Sequence, residues 1–406
     1  MAETFSYDPF SHEAMTAPEP LYRTLREAHP AYYLPDYDAW AISRYADVWD
    51  GFWDAEHFSE AEGQIFSRDQ LRIHHRGDPP APRLEPMDIF NHLDPPLHTR
   101  FRQAMAPSLL KLSVARMEPD ITRLVNERLD VLLDQGAFDL NADFASYVSA
   151  GATCLVEGIP LSEVPNVIRL VNALMAREAD QPGFTEQGRL AGDELNGLLM
   201  EIVGRRRAGR GESNRLIDAL LAADFAGRPL SDREIAGNLA SILVGGSETV
   251  PKVFSGGLLE LWKRPEQLAE VAADPAHAIP AFEEMLRYRA PAQWFGRTVK
   301  IGRELAGAWL EPGQRVILLI AAANRDHREF ENPDAFVWNR KARRMLSFGI
   351  GPHFCIGIHI ARLEGQVMLR EFLRAAPKFE IDEAAGHWAV SEFQIGWTQL
   401  PVRITA

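Results

Sequence analysis

Cysteine is nearly absent: the 406 residues include two, Cys154 and Cys355. They lie far apart and neither has a second cysteine close by, which excludes a CxxC redox pair and a zinc knuckle. Any thiol that works here works alone. Long apolar runs are missing as well. Charges interrupt the 46% hydrophobic content throughout, and no uncharged stretch approaches the roughly 18 residues that cross a bilayer. Residues 1–20 contain Glu3, Asp8, Glu13 and Glu19 and no apolar signal core, so a cytoplasmic protein is expected. Basic charge is in the minority, 43 Lys and Arg against 57 Asp and Glu for a formal net charge of −14. Nucleic acid and a membrane surface would both be approached against a repulsive field, and neither is expected as a partner. Repeats, low-complexity tracts, a clear interdomain linker and a dinucleotide-binding glycine fingerprint are absent too.

The length allows two or three domains at about 150 residues each and sets no limit on core size. Residues 31–34 and 39–43, parted by Pro35, Asp36, Tyr37 and Asp38, predict two short strands and a small sheet near the N-terminus. Residues 61–90 have little periodicity and carry Gly63, Gly77, Pro79, Pro80 and Pro82, which predicts a long irregular segment, often a functional one. From Asp94 the pattern turns helical, with Asp94 as cap and Pro95 in the first helical position. Apolar periodicity predicts further helices over 121–133, 164–175, 190–207 and 215–225, the last closed by Gly227, Arg228 and Pro229. Ser231 to Glu234 reads as a capping box opening a helix of about thirty residues, which Arg264 and Pro265 stop. Gly245, Gly246 and Pro251 inside it predict a kink or bulge, since each glycine costs roughly 1 kcal/mol and the proline about 3. Beyond Pro291 short strands are expected, notably at 315–320 and 379–382, and a helix at 358–373.

Cys355 sits among Gly349, Gly351 and Gly357, directly before that last helix. Unpaired N–H groups at a helix start and the positive end of its dipole favour a thiolate, the form that binds metals. Glycines let the backbone approach something bulky and flat. Cys154, in an apolar helical stretch, reads as a core residue.

Phe348, Gly349, Gly351, His353, Cys355 and Gly357 fill every specified position of FGxGxHxCxG. By this loop, and by further motifs in the same order along nearly the whole chain, the sequence resembles the cytochrome P450 superfamily, soluble bacterial type. The resemblance implies a mostly α (α+β) fold with a long central helix over haem b (iron protoporphyrin IX) and small sheets near the N-terminus and in the C-terminal half. It implies one domain over 1–406 without fused reductase or ferredoxin, and Cys355 as the iron ligand. Glu284 and Arg287 resemble the ExxR pair and share one helix face, with Arg340 as the residue that joins them. His98, Arg102, Arg297 and His353 resemble the contacts to the haem carboxylates, which need cationic or donor partners when buried. Gly246, Phe348 and Gly357 complete the expected cofactor site.

Gly245 to Val250 resembles the [AG]Gx[DE]T[TS] oxygen-activation segment, with Thr249 and Glu248 as the proton-delivering pair. Val250 departs from the usual second hydroxyl residue, and Pro251 is outside the general pattern. Substrate contacts are expected from Leu71, Ile73, Ile89, Phe90, Ile242, Trp294, Phe295, Phe393 and Ile395, an inventory that suits an apolar or aromatic small molecule. Arg72, His74, His75 and Arg76 could hold a substrate carboxylate. Electrons are expected from a separate ferredoxin and its NAD(P)H-dependent reductase, docking on Lys341, Arg343, Arg344 and Arg362 with Arg100 and Lys111 beside them. The expected activity is hydroxylation or oxidative dealkylation with O2. The alternatives are a peroxide-driven peroxygenase, a non-catalytic haem sensor and, more distantly, a cysteine hydrolase.

Overall fold

Capping and periodicity place most helices close to where the sequence sets them. The computed structural model describes residues 5–72, 77–81, 83, 85–177, 185–225 and 227–405. The helices that build the site are α1 (Leu97–Leu109), α2 (Glu118–Gln135), α3 (Ser146–Glu157), α4 (Glu186–Arg207), α5 (Asp232–Trp262), α6 (Ala278–Tyr288) and α7 (Ile358–Ala375). Among the described residues no helix is long and apolar enough to cross a membrane.

The capping box at the start of α5 forms as expected. Ser231 Oγ accepts the Glu234 N–H at 3.2 Å, and the Glu234 carboxylate accepts the Ser231 N–H at 2.9 Å. From there α5 runs 31 residues against α3, α4, α6 and α7, so it is covered on several sides rather than amphipathic. The expected bulge does not form: the helix is unbroken through Gly245, Gly246 and Pro251. Magnitudes explain why. Two glycines and a proline cost about 5 kcal/mol together, whereas Val250, Val253, Phe254, Leu258, Leu259 and Leu261 are buried on the same stretch, each contributing about 1.5–3 kcal/mol.

Strands β1 (Ala31–Leu34) and β2 (Ala39–Ile42) form the expected antiparallel hairpin. It is not a separate sheet. With β3 (Phe58–Ser59), β4 (Phe295–Val299) and β5 (Arg315–Leu318) it makes one five-stranded sheet of order β1-β2-β5-β4-β3, in which β2 and β5 run parallel. The sheet thereby brings the chain just after β3 beside Arg297 of β4. A three-stranded sheet joins Phe379–Ile381 and Pro401–Ile404 to Ala137–Asp139, from the first half of the chain.

Three local expectations change. The Asp94 carboxylate does not cap α1, because Ser59 Oγ (2.6 Å) and the Glu60 N–H (3.0 Å) take it. The helix at Arg215–Ala222 ends early, and Asp224–Phe225 pairs with Arg228–Pro229 as a hairpin. Within the irregular segment, Ser67 and Gln70 form a capping box on the short helix Arg68–Leu71. Arg72 then donates to the Asp36 carbonyl at 3.1 Å. Ile73, His74, His75 and Arg76 lie outside the described residues.

Candidate functional site

The cysteine loop is held from several directions. Gly351 has φ +78°, and a Cβ there would meet the Phe52 carbonyl oxygen at 2.4 Å, so only glycine lets the loop pass so close to α-helical Phe52. Cys355 N–H donates to the Phe348 carbonyl at 2.9 Å. Upstream, Ser347 Oγ donates to Leu286 O of α6 at 2.6 Å, and Asn324 accepts the Leu346 N–H at 2.7 Å. Gly357 caps α7. Burial pushes the Cys355 thiol up, more than the Gly357 N–H, Arg102 and Arg362 pull it down. The expected thiolate preference of a helix start is therefore present but outweighed, and a metal cation at the sulfur is what would complete deprotonation. Cys154 is fully buried core, its thiol pushed up by the same burial.

Behind the loop, Glu284 and Arg287 pair with both side chains fully buried. Arg287 Nε and Nη2 each donate to the carboxylate at 2.7 Å, and its remaining donors reach the carbonyls of Asn324, Pro333 and Ala335. Arg340 Nε joins at 3.1 Å, and the Val337 N–H at 2.9 Å. Every charged atom is answered within the chain.

His98, Arg102, Arg297 and His353 converge elsewhere, around a residue the sequence reading did not single out. Arg297 Nη2 lies 2.6 Å from Glu60 Oε1, and His353 Nδ1 lies 2.7 Å from Glu60 Oε2, with all three side chains 4–6% exposed. The His98 ring stacks on His353 with centroids 3.6 Å apart, and both its nitrogens are buried without a hydrogen-bond partner. Arg102 is half-buried within electrostatic reach of Glu60 and Cys355. Burial holds His98 down at about 2, helped by His353, Arg102 and Arg297, and it pushes His353 well below the ordinary value too. Burial raises Glu60 to about 8 against the pull of Arg297, with Asp94 adding repulsion.

On α5, Thr249 Oγ1 donates to the Gly245 carbonyl at 2.9 Å. A Cβ at Gly245 would meet nothing within 4 Å, whereas one at Gly246 would strike Thr153 Oγ1 of α3 at 2.3 Å. The open face of the helix thus belongs to Gly245 and Thr249, at i and i+4. Gly246, expected at the cofactor, is instead a helix-packing glycine. Glu248 Oε2 accepts from Lys252 Nζ at 2.7 Å and from Gln394 Nε2 at 2.9 Å. Lys252 is 5% exposed. Gln394 could not be read from the sequence as a partner, and the i,i+4 Glu–Lys pair would ordinarily mark a solvated helix face rather than a buried one.

Of the expected substrate wall, Ile89, Ile242 and Phe295 are half-buried, and Phe295 meets the buried Phe393 ring at 5.3 Å. Phe90 is buried and stacks on His98 at 6.1 Å. Trp294 is not a wall residue. Its side chain is fully buried in a separate N-terminal core with Leu71, beside Phe66. Ile395 lines a shallow cleft with Arg26, Arg287, Arg289 and Arg325. Both look the same as pocket residues in sequence because only apolarity is visible there.

Of the expected docking surface, Lys341, Arg343 and Arg344 are exposed, although Arg344 pairs with Glu329 at 3.2 Å. Arg362 is half-buried and committed to Glu283, with two bonds of 2.6 and 2.7 Å. Exposed Lys111 lies in the electrostatic field of His359 on α7, and its neighbour Leu112 is 79% exposed.

The residues fit haem. Unanswered buried donors and two guanidinium groups suit its carboxylates, Cys355 suits iron, and an open helix face suits a flat ring and a small gas. The comparisons agree. The Cytochrome P450 family model matches residues 181–386. Cytochrome P450 123 of Mycobacterium tuberculosis is 31% identical over 402 residues, covering 98% of this chain and 97% of that protein. The beta-dihydromenaquinone-9 omega-hydroxylase of the same species is 30% identical, covering 98% of this chain and 78% of that protein. Among solved structures, CalO2 has a TM-score of 0.84 at 26% identity, with 98% of this chain and 99% of that chain covered. The post-tailoring hydroxylase HmtN, from himastatin biosynthesis, has 0.82 at 25%, with 98% and 100% covered. Likeness of this extent, in sequence and in architecture alike, makes the chain a member of the cytochrome P450 family.

Proposed function

We propose that this haem-thiolate monooxygenase hydroxylates, or dealkylates by hydroxylation, a small apolar or aromatic molecule, with electrons from a separate ferredoxin and its NAD(P)H-dependent reductase. Haem b, when bound, supplies the iron at which O2 is reduced and one oxygen atom is passed to substrate. Cys355 Sγ is the residue to hold that iron, and His98, Arg102, Arg297 and His353 those to hold the carboxylates. Thr249 orders water: its hydroxyl proton is spent on the Gly245 carbonyl, which leaves its oxygen to accept from a water on the open face. Glu248 carries the replacement proton, and Lys252 and Gln394 keep its carboxylate in one position. Ile89, Ile242 and Phe295 are the apolar residues with surface left for a substrate.

The single observation that carries the proposal is the open face at Gly245 and Thr249. Lys341 and Arg343, with Lys111 and the exposed Leu112, are the residues offered to an acidic ferredoxin; Arg362 supports the loop instead. Residues 1–406 are read as one domain, because the main hydrophobic core includes residues from Ile42 to Val402. The test is turnover of a substrate found by haem spin-state shift. Product that requires O2 and ferredoxin, and falls in Thr249→Ala, supports the reading; full activity from peroxide alone, indifferent to Thr249, contradicts it.

A further inference from the structure

Glu60 is a carboxyl group already standing where the haem carboxylates must bind. It is 3% exposed, and its two oxygens lie against the same Arg297 and His353 that the haem requires. It cannot turn away easily, since Asp94 ties its backbone N–H and the neighbouring Ser59 hydroxyl. Three carboxyl groups would then face two guanidinium groups, Arg297 and Arg102, in a site with little water. Like charges at such range repel strongly in a low dielectric, and the repulsion is avoided when one of them carries a proton.

We propose that Glu60 is a third carboxyl of the haem site that shares Arg297 and His353 with the haem carboxylates as a neutral acid, so that haem retention weakens when Glu60 ionises. The groups around it permit this reading. Arg297 and Arg102 stay cationic from pH 6 to 10, and the neighbouring Asp94 opposes ionisation of Glu60. Burial holds His98 down at about 2 and His353 well below its ordinary value, and it lowers His92 as well, which works against their taking up charge in that range. Glu60, raised by burial, is the member of the cluster that changes charge there. The inference rests on assigning those four cationic or donor residues to the haem carboxylates.

The experiment follows haem transfer from the holoenzyme to excess apomyoglobin between pH 6 and 10, for the wild type and for Glu60→Gln. The ratio of wild-type to variant rate should lie near one at pH 6 and rise about tenfold by pH 10. A ratio that stays flat, or faster haem loss from the variant at every pH, overturns the proposal. Glu60→Ala replaces the amide variant, with the same two outcomes, should Glu60→Gln fail to accumulate as holoenzyme. Arg297→Leu separates the two readings: unchanged haem loss in that variant sinks the carboxylate assignment itself, whereas faster loss keeps it and leaves Glu60 to be judged by the ratio.

Discussion

Two buried arginine–glutamate clusters in this molecule use the same residue types to different ends. Around Glu284, each donor of Arg287 finds an acceptor, and Arg340 and the Val337 N–H complete the carboxylate. Around Glu60, His98 keeps two buried nitrogens without partners, and the carboxyl is pushed up despite an arginine 2.6 Å away. A closed cluster is structure, because a buried polar group left unanswered costs about 1–3 kcal/mol. An open one points to a missing partner. The difference is geometric, and burial or residue type alone would not separate them.

The largest effect should come from breaking the closed cluster. Arg287→Ala leaves Glu284 charged and buried, at a cost of about 3–5 kcal/mol, so little holoenzyme should accumulate and urea denaturation of what remains should begin far earlier. Near-normal stability would show that the cluster is less closed than its hydrogen bonds suggest. Next comes Arg297→Leu, expected to keep its fold while losing haem on the order of tenfold faster, the reverse of the Arg287 pattern. An equal loss of stability in both variants would erase the comparison.

The open cluster also predicts a pH dependence. His98 is held at about 2 against an ordinary 6.5, so the native state refuses a proton that the unfolded chain accepts. Its contribution is whole above pH 6.5 and is lost as pH falls from 6.5 toward 2. Between pH 7.5 and 5.5 the haem-free wild type should lose about 1.4 kcal/mol more than His98→Gln, read from urea midpoints. Parallel losses would mean that His98 finds a partner in solution. The smallest effect belongs to the surface: Lys341→Ala and Arg343→Ala should each change stability by less than about 0.5 kcal/mol, while slowing reduction by ferredoxin a few-fold at low salt and hardly at all at high salt.

Legibility followed the kind of information each feature needs. The Ser231 capping box, the ExxR spacing and the glycines around Cys355 are local patterns, and they led to the right helices and loop. Glu60 was invisible because nothing near it in sequence refers to Arg297; the pairing of β3 with β4 brings them together across the chain. Lys252 was legible as a neighbour of Glu248 but not as buried, which depends on what covers that turn of α5. Trp294 and Ile395 read as pocket walls because hydrophobicity does not say which side of a strand or turn a residue faces. Gly245 and Gly246 were interchangeable in sequence, and only the approach of Thr153 tells them apart.

Cys355 is the sulfur expected to hold the iron, and every other role assigned to the site depends on it. The measurement is the carbon monoxide difference spectrum of the reduced holoenzyme, taken beside that of Cys355→His. A long-wavelength Soret band in the wild type that disappears in the variant is the predicted result. A wild-type protein that retains haem and shows no such band would contradict it.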